Sequence, residues 1–168
     1  MHVWTALTGA AMMALAILPA SATMRITSDP GGQIGPYLEN LATLRSSGEH
    51  VVIDGPCLSA CTMVLGVIPR DHLCVTPRAR LGFHTAWRPD GAGHAVVSRD
   101  GTQLLMTVYP QQVRKWIARR GGLSPHMMYL SGRELAEIVF VDEYVARGAH
   151  AHAAALGDDS VDAVFQGC

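Results

Sequence analysis

The first polar part of the chain alternates apolar and polar residues and then changes to helical spacing. Residues 24–28 alternate as a short strand does, and the turn sequence Asp29-Pro30-Gly31-Gly32 follows them. Apolar residues three or four positions apart over residues 34–44 then place one apolar stripe on a helix that ends near Gly48. The sequence therefore predicts a strand followed by a helix.

Short apolar runs then alternate with further helical patterns. Residues 51–53 are an apolar strand closed by Asp54-Gly55-Pro56, and residues 59–67 predict a second, nearly all-apolar helix. Residues 74–76 and 80–84 are predicted as further strands. Because short buried strands alternate with helices, the sequence predicts an α/β fold with a largely parallel sheet covered by helices.

The pattern becomes polar and rich in glycine after His84. Residues 88–94 predict a mobile lid. Two more helices are predicted, over residues 111–120 and 132–147, and the first of them turns Val113, Trp116 and Ile117 inward. The Ala-rich tail, residues 149–168, receives no assigned element.

The apolar character of the amino terminus is that of a targeting segment. Residues 1–22 contain no Asp, Glu, Lys or Arg and end in Ala20-Ser21-Ala22. This pattern predicts a secretory signal peptide cleaved before Thr23, although the usual basic start is missing. We therefore expect a signal peptide, residues 1–22, followed by one domain, residues 23–168, in the periplasm or outside the cell. An uncleaved leader would instead hold the protein at a membrane, and a buried first helix would remove the inference of export.

Composition and charge exclude other classes. The chain has 13 Lys and Arg against 14 Asp and Glu, a formal net charge of -1, so it offers no general basic footprint for nucleic acid. With 49% hydrophobic and 16% charged residues, the chain is also unlike a disordered one. No cysteine spacing is typical of a zinc site, and the sequence predicts neither a metal nor a cofactor.

The four cysteines, Cys57, Cys61, Cys74 and Cys168, are expected to form disulfides in an oxidising compartment. Four cysteines allow three full pairings. Cys57 and Cys61 lie close enough to bridge if the turn between them opens slightly, which would leave Cys74 and Cys168. A bridge from this turn to Cys74 is equally compatible, and either bridge would rigidify the loop that carries Ser59.

Three places in the chain carry candidate chemistry. Ser59 lies where a strand ends and an apolar helix begins, so its hydroxyl is exposed beside the positive end of the helix. The alternative is that Ser59 only caps this helix. His84, at the end of its strand, is a candidate base for a nucleophilic serine. The backbone amides of Gly31, Gly32 and Ala60 are candidate donors of an oxyanion hole.

Taken in order, these motifs resemble the Clp-protease proteolytic subunit and crotonase superfamily, and most closely its exported ClpP-like branch. Residues 28–32 look like the family's S-x-G-G oxyanion loop, and residues 55–60 like its G-x-x-x-S nucleophile turn. Residues 80–84 look like its histidine strand, and residues 129–142 like its F-L-S-x-x-E-A helix with a V-D ending. The Cys-x-Ser-Ala-Cys core is typical of the exported branch.

The resemblance implies a spiral of strand-strand-helix units and a Ser-His site that hydrolyses peptides or proteins. It also implies assembly into trimers or rings. The family has a further strand and helix before the glycine loop, whereas the mature chain starts almost at this loop. We therefore expect the first unit to be missing.

The acid of the family's triad lies near residues 122–124, but the sequence has no Asp or Glu between residues 101 and 133. Asp90 and Asp100 are candidate replacements, and Lys115 is the one lysine that could form a Ser-Lys dyad. Two functions stay open: a serine peptidase, and a catalytically inactive periplasmic binding or assembly module. A crotonase-type acyl-CoA enzyme is disfavoured, because export separates it from CoA and no basic cluster is present for the nucleotide.

Overall fold

The computed structural model describes residues 22–138, which form two small sheets and a hairpin covered by helices. The strands are β1 (Thr23–Ile26), β2 (His50–Ile53), β3 (Pro56–Leu58), β4 (Leu73–Val75), β5 (Arg80–Phe83), β6 (Trp87–Pro89), β7 (Ala95–Val97) and β8 (Met128–Ser131). The helices are α1 (Ile34–Ser47), α2 (Val64–Val67), α3 (Arg99–Val108) and α4 (Gln111–Arg119), with 3-10 helices at Ser59–Met63 and Arg70–His72. Residues 132–138 are also helical. The predicted leader, the tail and Cys168 lie outside the described residues.

The strands of the two sheets follow one another in the same order. The first sheet has the order β1-β2-β4 and is parallel throughout. In the second sheet, of order β3-β5-β8, β3 runs parallel to β5, and an isolated bridge from Asp29 to Cys57 adds the segment after β1. Each strand of the first sheet is thus followed by a segment of the second sheet and, further along the chain, by a helix. The predicted α/β class and the implied strand-strand-helix units are confirmed.

The core lies between the sheets and the apolar faces of the helices. Leu41 of α1 is buried, and α4 buries Val113, Trp116 and Ile117, the three residues predicted to face inward. The ring of Phe83 packs against the ring of Trp116 at a centroid distance of 5.5 Å. The helical stripes read from the sequence are therefore the surfaces that cover the sheets.

Three elements differ from the sequence-based expectation. The predicted mobile lid is the antiparallel hairpin β6–β7, which is closed around Asp90. The sequence does not predict α3, whose start is capped by the Ser98 hydroxyl, which accepts the Gly101 N–H at 3.1 Å. The sequence does not predict β8, which pairs antiparallel with β5 although the other pairs in these two sheets are parallel.

A buried carboxylate joins the ends of three chain segments. Asp54, 6% exposed, follows β2 and accepts hydrogen bonds from Arg25 at 2.9 Å, from Thr76 at 2.6 Å and from Arg78 Nε at 3.0 Å. The hydrogen bonds from Arg78 and then Thr76 hold the pKa of Asp54 well below its ordinary value. The ionised carboxylate therefore ties β1, β2 and the turn after β4 together.

This arrangement makes the stability of the fold depend on pH. Because the pKa of Asp54 is lower in the folded than in the unfolded chain, its contribution is fully present above about pH 4 and is lost as the pH falls toward the folded-state pKa. We expect Asp54→Asn to lower the melting temperature at pH 7, and the gap to the wild type to shrink steadily below about pH 4. Thermal melts across this range measure the gap.

Asp71→Asn, at an exposed acid in the 3-10 helix Arg70–His72, is the matched control. Its melting temperature should stay close to that of the wild type at pH 7. A gap for Asp54→Asn that is as large in strong acid as at neutral pH would contradict the linkage.

Candidate functional site

Ser59 lies at a sharp turn from β3 into the 3-10 helix Ser59–Met63. Its φ is 55°, the one positive φ of a non-glycine residue within residues 22–138. This left-handed conformation costs a side-chain-bearing residue on the order of 1–3 kcal/mol. Other contacts must therefore hold the turn, and backbone strain of this kind is concentrated at functional sites.

A disulfide spans the Ser59 turn. Cys57 in β3 is bonded to Cys61 in the 3-10 helix, with their Cα atoms 5.3 Å apart. This confirms the first of the two expected bridges, and the alternative bridge from the turn to Cys74 is wrong. Cys74 is itself disulfide-bonded.

A buried chain of hydrogen bonds connects the Ser59 turn to the core. The Thr62 hydroxyl donates to the Ser59 carbonyl at 2.6 Å and lies 2.7 Å from the Tyr109 hydroxyl. Because Thr62 has already given its proton to the Ser59 carbonyl, Tyr109 is the donor to Thr62. Burial raises the pKa of Tyr109 to about 12, which keeps this donor protonated.

The loop that follows β1 is fixed against the Ser59 turn by Asp29. The Asp29 N–H donates to the Pro56 carbonyl, and the Leu58 N–H donates to the Asp29 carbonyl, both at 2.8 Å. The Asp29 side chain accepts the Gly31 N–H at 2.8 Å and also accepts the Tyr37 hydroxyl. Burial, and then the hydrogen bond to Asp29, raise the pKa of Tyr37 well above its ordinary value, so this hydroxyl stays a donor.

The three predicted oxyanion donors differ in whether their N–H groups already have a hydrogen-bond partner. The Gly31 N–H is used by Asp29, so Gly31 shapes the loop. Ala60 is the second residue of the 3-10 helix, and amides in the first turn of a helix have no carbonyl partner within it. Within residues 22–138, the Gly32 N–H donates to no other residue. Gly32 and Ala60 therefore hold the amides that are free to bind an oxyanion.

Ser59 and His84 line the same cleft, which has a volume of about 600 Å³. His84 is half-buried and directly follows β5, the strand that pairs with β3. The lining also includes the three predicted amide donors, Gly31, Gly32 and Ala60. The apolar part of the lining comes from Ile34, Ala86, Trp87 and Leu105, on α1, around β6 and on α3.

No carboxylate among the described residues lies in this cleft or bonds His84. The Thr85 N–H donates to the Ser124 carbonyl at 2.9 Å, so the segment where the resemblance implies the acid lies beside the end of β5. The residue here is Ser124, whose hydroxyl donates to the His126 carbonyl. Ser59 and His84 therefore line one cleft that has no acid among the described residues.

The candidate replacements for the acid are placed elsewhere. Asp90 accepts the N–H groups of Ala92 and His94 inside its own hairpin, and these bonds, that from His94 first, lower the pKa of Asp90. Asp100 is exposed in the first turn of α3. Lys115 is exposed on α4 and does not line the cleft, so the Ser-Lys dyad is wrong.

The described residues, 22–138, show neither a cluster of metal ligands nor a membrane-spanning helix. In this range, no three His, Cys, Asp or Glu side chains are grouped so that they could hold a metal ion. Across the same residues, no helix has the length and apolar character needed to cross a membrane.

Comparison with known proteins gives a weak likeness to solved structures. No family model matches the chain, and no curated protein matches it. Solved structures that resemble it include a ClpP1 mutant from Listeria monocytogenes, at 16% identity over 70% of this chain and 68% of that chain, with a TM-score of 0.42.

The contact between the Gly31 loop and the Ser59 turn is testable by one added methyl group. A Cβ on Gly31 would lie 2.4 Å from the Leu58 carbonyl oxygen and 2.7 Å from the Ser59 Cβ, on a backbone with φ +83°. We expect Gly31→Ala to lower the free energy of unfolding by about 1–3 kcal/mol, because the loop must move away from the turn. Urea denaturation measures the change.

Gly35→Ala in the first turn of α1 is the control, since a Cβ there meets nothing within 4 Å. This change should raise the free energy of unfolding by up to about 1 kcal/mol. Equal effects of the two substitutions would contradict the close contact between loop and turn.

Proposed function

We propose that the protein is an exported, ClpP-like serine hydrolase that cleaves peptide bonds. The observation that carries this proposal is the strained Ser59 turn, which faces the same cleft as His84 and the unused amides of Gly32 and Ala60. A nucleophile, a base and two oxyanion donors around one cavity are the parts that acyl transfer needs.

In this mechanism His84 takes the proton of the Ser59 hydroxyl as the oxygen attacks a peptide carbonyl. The amides of Gly32 and Ala60 bind the oxyanion that forms. His84 then gives the proton to the leaving amine, and a water molecule, deprotonated in turn by His84, releases the acyl group from Ser59.

The second candidate is a binding or assembly module without useful turnover. The observation that favours it is the Ser124 carbonyl beside Thr85, at the place where the family has its acid. In a serine protease, loss of the triad carboxylate lowers kcat by on the order of 10⁴. A chain with this site would bind peptides in the cleft and hydrolyse them slowly or not at all.

Export to the periplasm or beyond is part of the proposal. The Cys57–Cys61 disulfide supports it, because disulfides persist mainly in oxidising compartments. Peptide or protein substrates and assembly into trimers or rings follow from the family resemblance and stay predictions. Contact with a membrane would require that residues 1–22 are not removed.

Labelling with a fluorophosphonate separates the two candidate functions, because the reagent reacts with a serine that its surroundings activate. We expect the purified, oxidised protein to gain one phosphonyl group at Ser59, read by intact mass and peptide mapping. The adduct should be lost in Ser59→Ala, and its rate of formation should fall by about 10²-fold or more in His84→Ala, which removes the base.

Ser46→Ala, at an exposed serine on α1, is the matched control and should label like the wild type. Folding of each variant is checked by its melting temperature. If the folded wild-type protein stays unlabelled, the proposed hydrolase function is contradicted and the binding module is the remaining candidate.

A further inference from the structure

One permanently charged residue among those described, Arg88, lines the cleft. Among the described residues that line it, Arg88 is the one permanent cation, and none is Asp or Glu. Arg88 and Ser59 line the same cavity of about 600 Å³, and Arg88 is an exposed residue of strand β6. The described lining of this cleft therefore contains one permanently cationic residue.

This guanidinium has no partner within residues 22–138. No hydrogen bond or ion pair joins Arg88 to another described side chain. The nearest acid along the chain, Asp90, is occupied by the backbone N–H groups of Ala92 and His94 and by the His94 ring. Arg88 is thus available for an anion from outside.

The hairpin that carries Arg88 is fixed to the rest of the cleft. Arg88 pairs with Val96 of β7. At the base of the hairpin, the Ser98 N–H donates to the Ala86 carbonyl at 2.8 Å, and the Ala86 N–H donates to Thr102 at 3.0 Å. The backbone of Arg88 therefore has a set position relative to α3, which lines the same cleft.

We propose that Arg88 binds a carboxylate of the substrate, which makes peptides with a carboxylate close to the scissile bond the substrate class of this site. A guanidinium binds a carboxylate through two parallel N–H···O bonds, with a geometry that a neutral amide does not match. The carboxylate belongs either to an Asp or Glu side chain or to the carboxyl terminus of the peptide. This inference rests on the proposed function.

The neighbours of Arg88 fit the remainder of such a peptide. Trp87, 61% exposed, is also part of the lining and adds apolar surface to it. Ile34 and Leu105 supply apolar surface on the other elements of the lining. The cleft combines one cation with apolar walls, a pattern that favours an anchored, otherwise uncharged peptide end.

Binding to the Ser59→Ala protein tests the inference without any turnover. Calorimetry would measure three peptides: acetyl-Ala-Ala-Ala-Glu-amide, acetyl-Ala-Ala-Ala-Gln with a free carboxyl terminus, and acetyl-Ala-Ala-Ala-Gln-amide, which has no carboxylate. We expect one of the first two to bind about tenfold more tightly than the third, the order of a charge-assisted hydrogen bond. The tighter of the two identifies the source of the carboxylate.

Variants of Arg88 and Arg99 identify which arginine causes the preference for a carboxylate. Arg88→Gln should bring the affinities of the three peptides to within about twofold, and Arg88→Lys should keep part of the preference because the charge stays. Arg99→Gln removes the same charge from an exposed position on α3 that does not line the cleft, and should keep the full preference. Added salt should weaken the preference for a carboxylate in the Ser59→Ala protein that keeps Arg88.

Equal affinity for the three peptides, absence of binding, or a preference that survives Arg88→Gln would overturn the inference. Its failure is distinguishable from that of the proposed function, which is measured by labelling of Ser59. If Ser59 is labelled but the peptides bind without a preference for a carboxylate, only the proposed role of Arg88 is wrong. If the carboxylate preference depends on Arg88 but Ser59 is not labelled, the carboxylate site stands and the proposed hydrolysis is wrong.

Discussion

The close contact between the Gly31 loop and the turn at Ser59 is the constraint on which the rest of the site depends. A side chain on Gly31 would collide with the Leu58 carbonyl and with Ser59 itself, so the two segments meet backbone to backbone. Asp29 holds them through backbone hydrogen bonds to both ends of β3, Pro56 and Leu58, and by accepting the Gly31 N–H. This contact places Gly32 at the cleft that Ser59 also lines.

Strain at Ser59 is balanced by contacts that surround the turn. The Cys57–Cys61 bond closes it along the chain, and the path from Tyr109 through Thr62 to the Ser59 carbonyl holds it from the core. These are fixed interactions that exist before any substrate binds. In the proposed mechanism such fixed donors lower the free energy of the transition state, although the described residues supply no carboxylate to orient His84.

The helices other than α3 and the strands of the first sheet were predictable because their signals are local. The apolar stripe of α1 and the inward residues Val113, Trp116 and Ile117 of α4 follow from spacing along the chain. Strands β3 and β8 were not predicted, because each pairs with a strand that is distant in sequence. In addition, Pro56 at the start of β3 is a residue typical of turns, so the sequence indicates a turn there. Ser59, His84 and the glycine loop could be named in advance as candidates, and they line one cleft. The use of the Gly31 amide by Asp29 could not be predicted, because it depends on the loop's three-dimensional path.

A crystal structure of the protein bound to a peptide boronic acid tests most directly the claim that Ser59, Gly32 and Ala60 form one reaction centre. We expect a covalent bond from the Ser59 oxygen to boron, with one boronate oxygen about 3 Å from the Gly32 and Ala60 nitrogens. The same claim requires the His84 ring to lie at hydrogen-bond distance from the Ser59 oxygen. A boronate that leaves Ser59 unmodified, or whose oxygens point away from both amides, would contradict it.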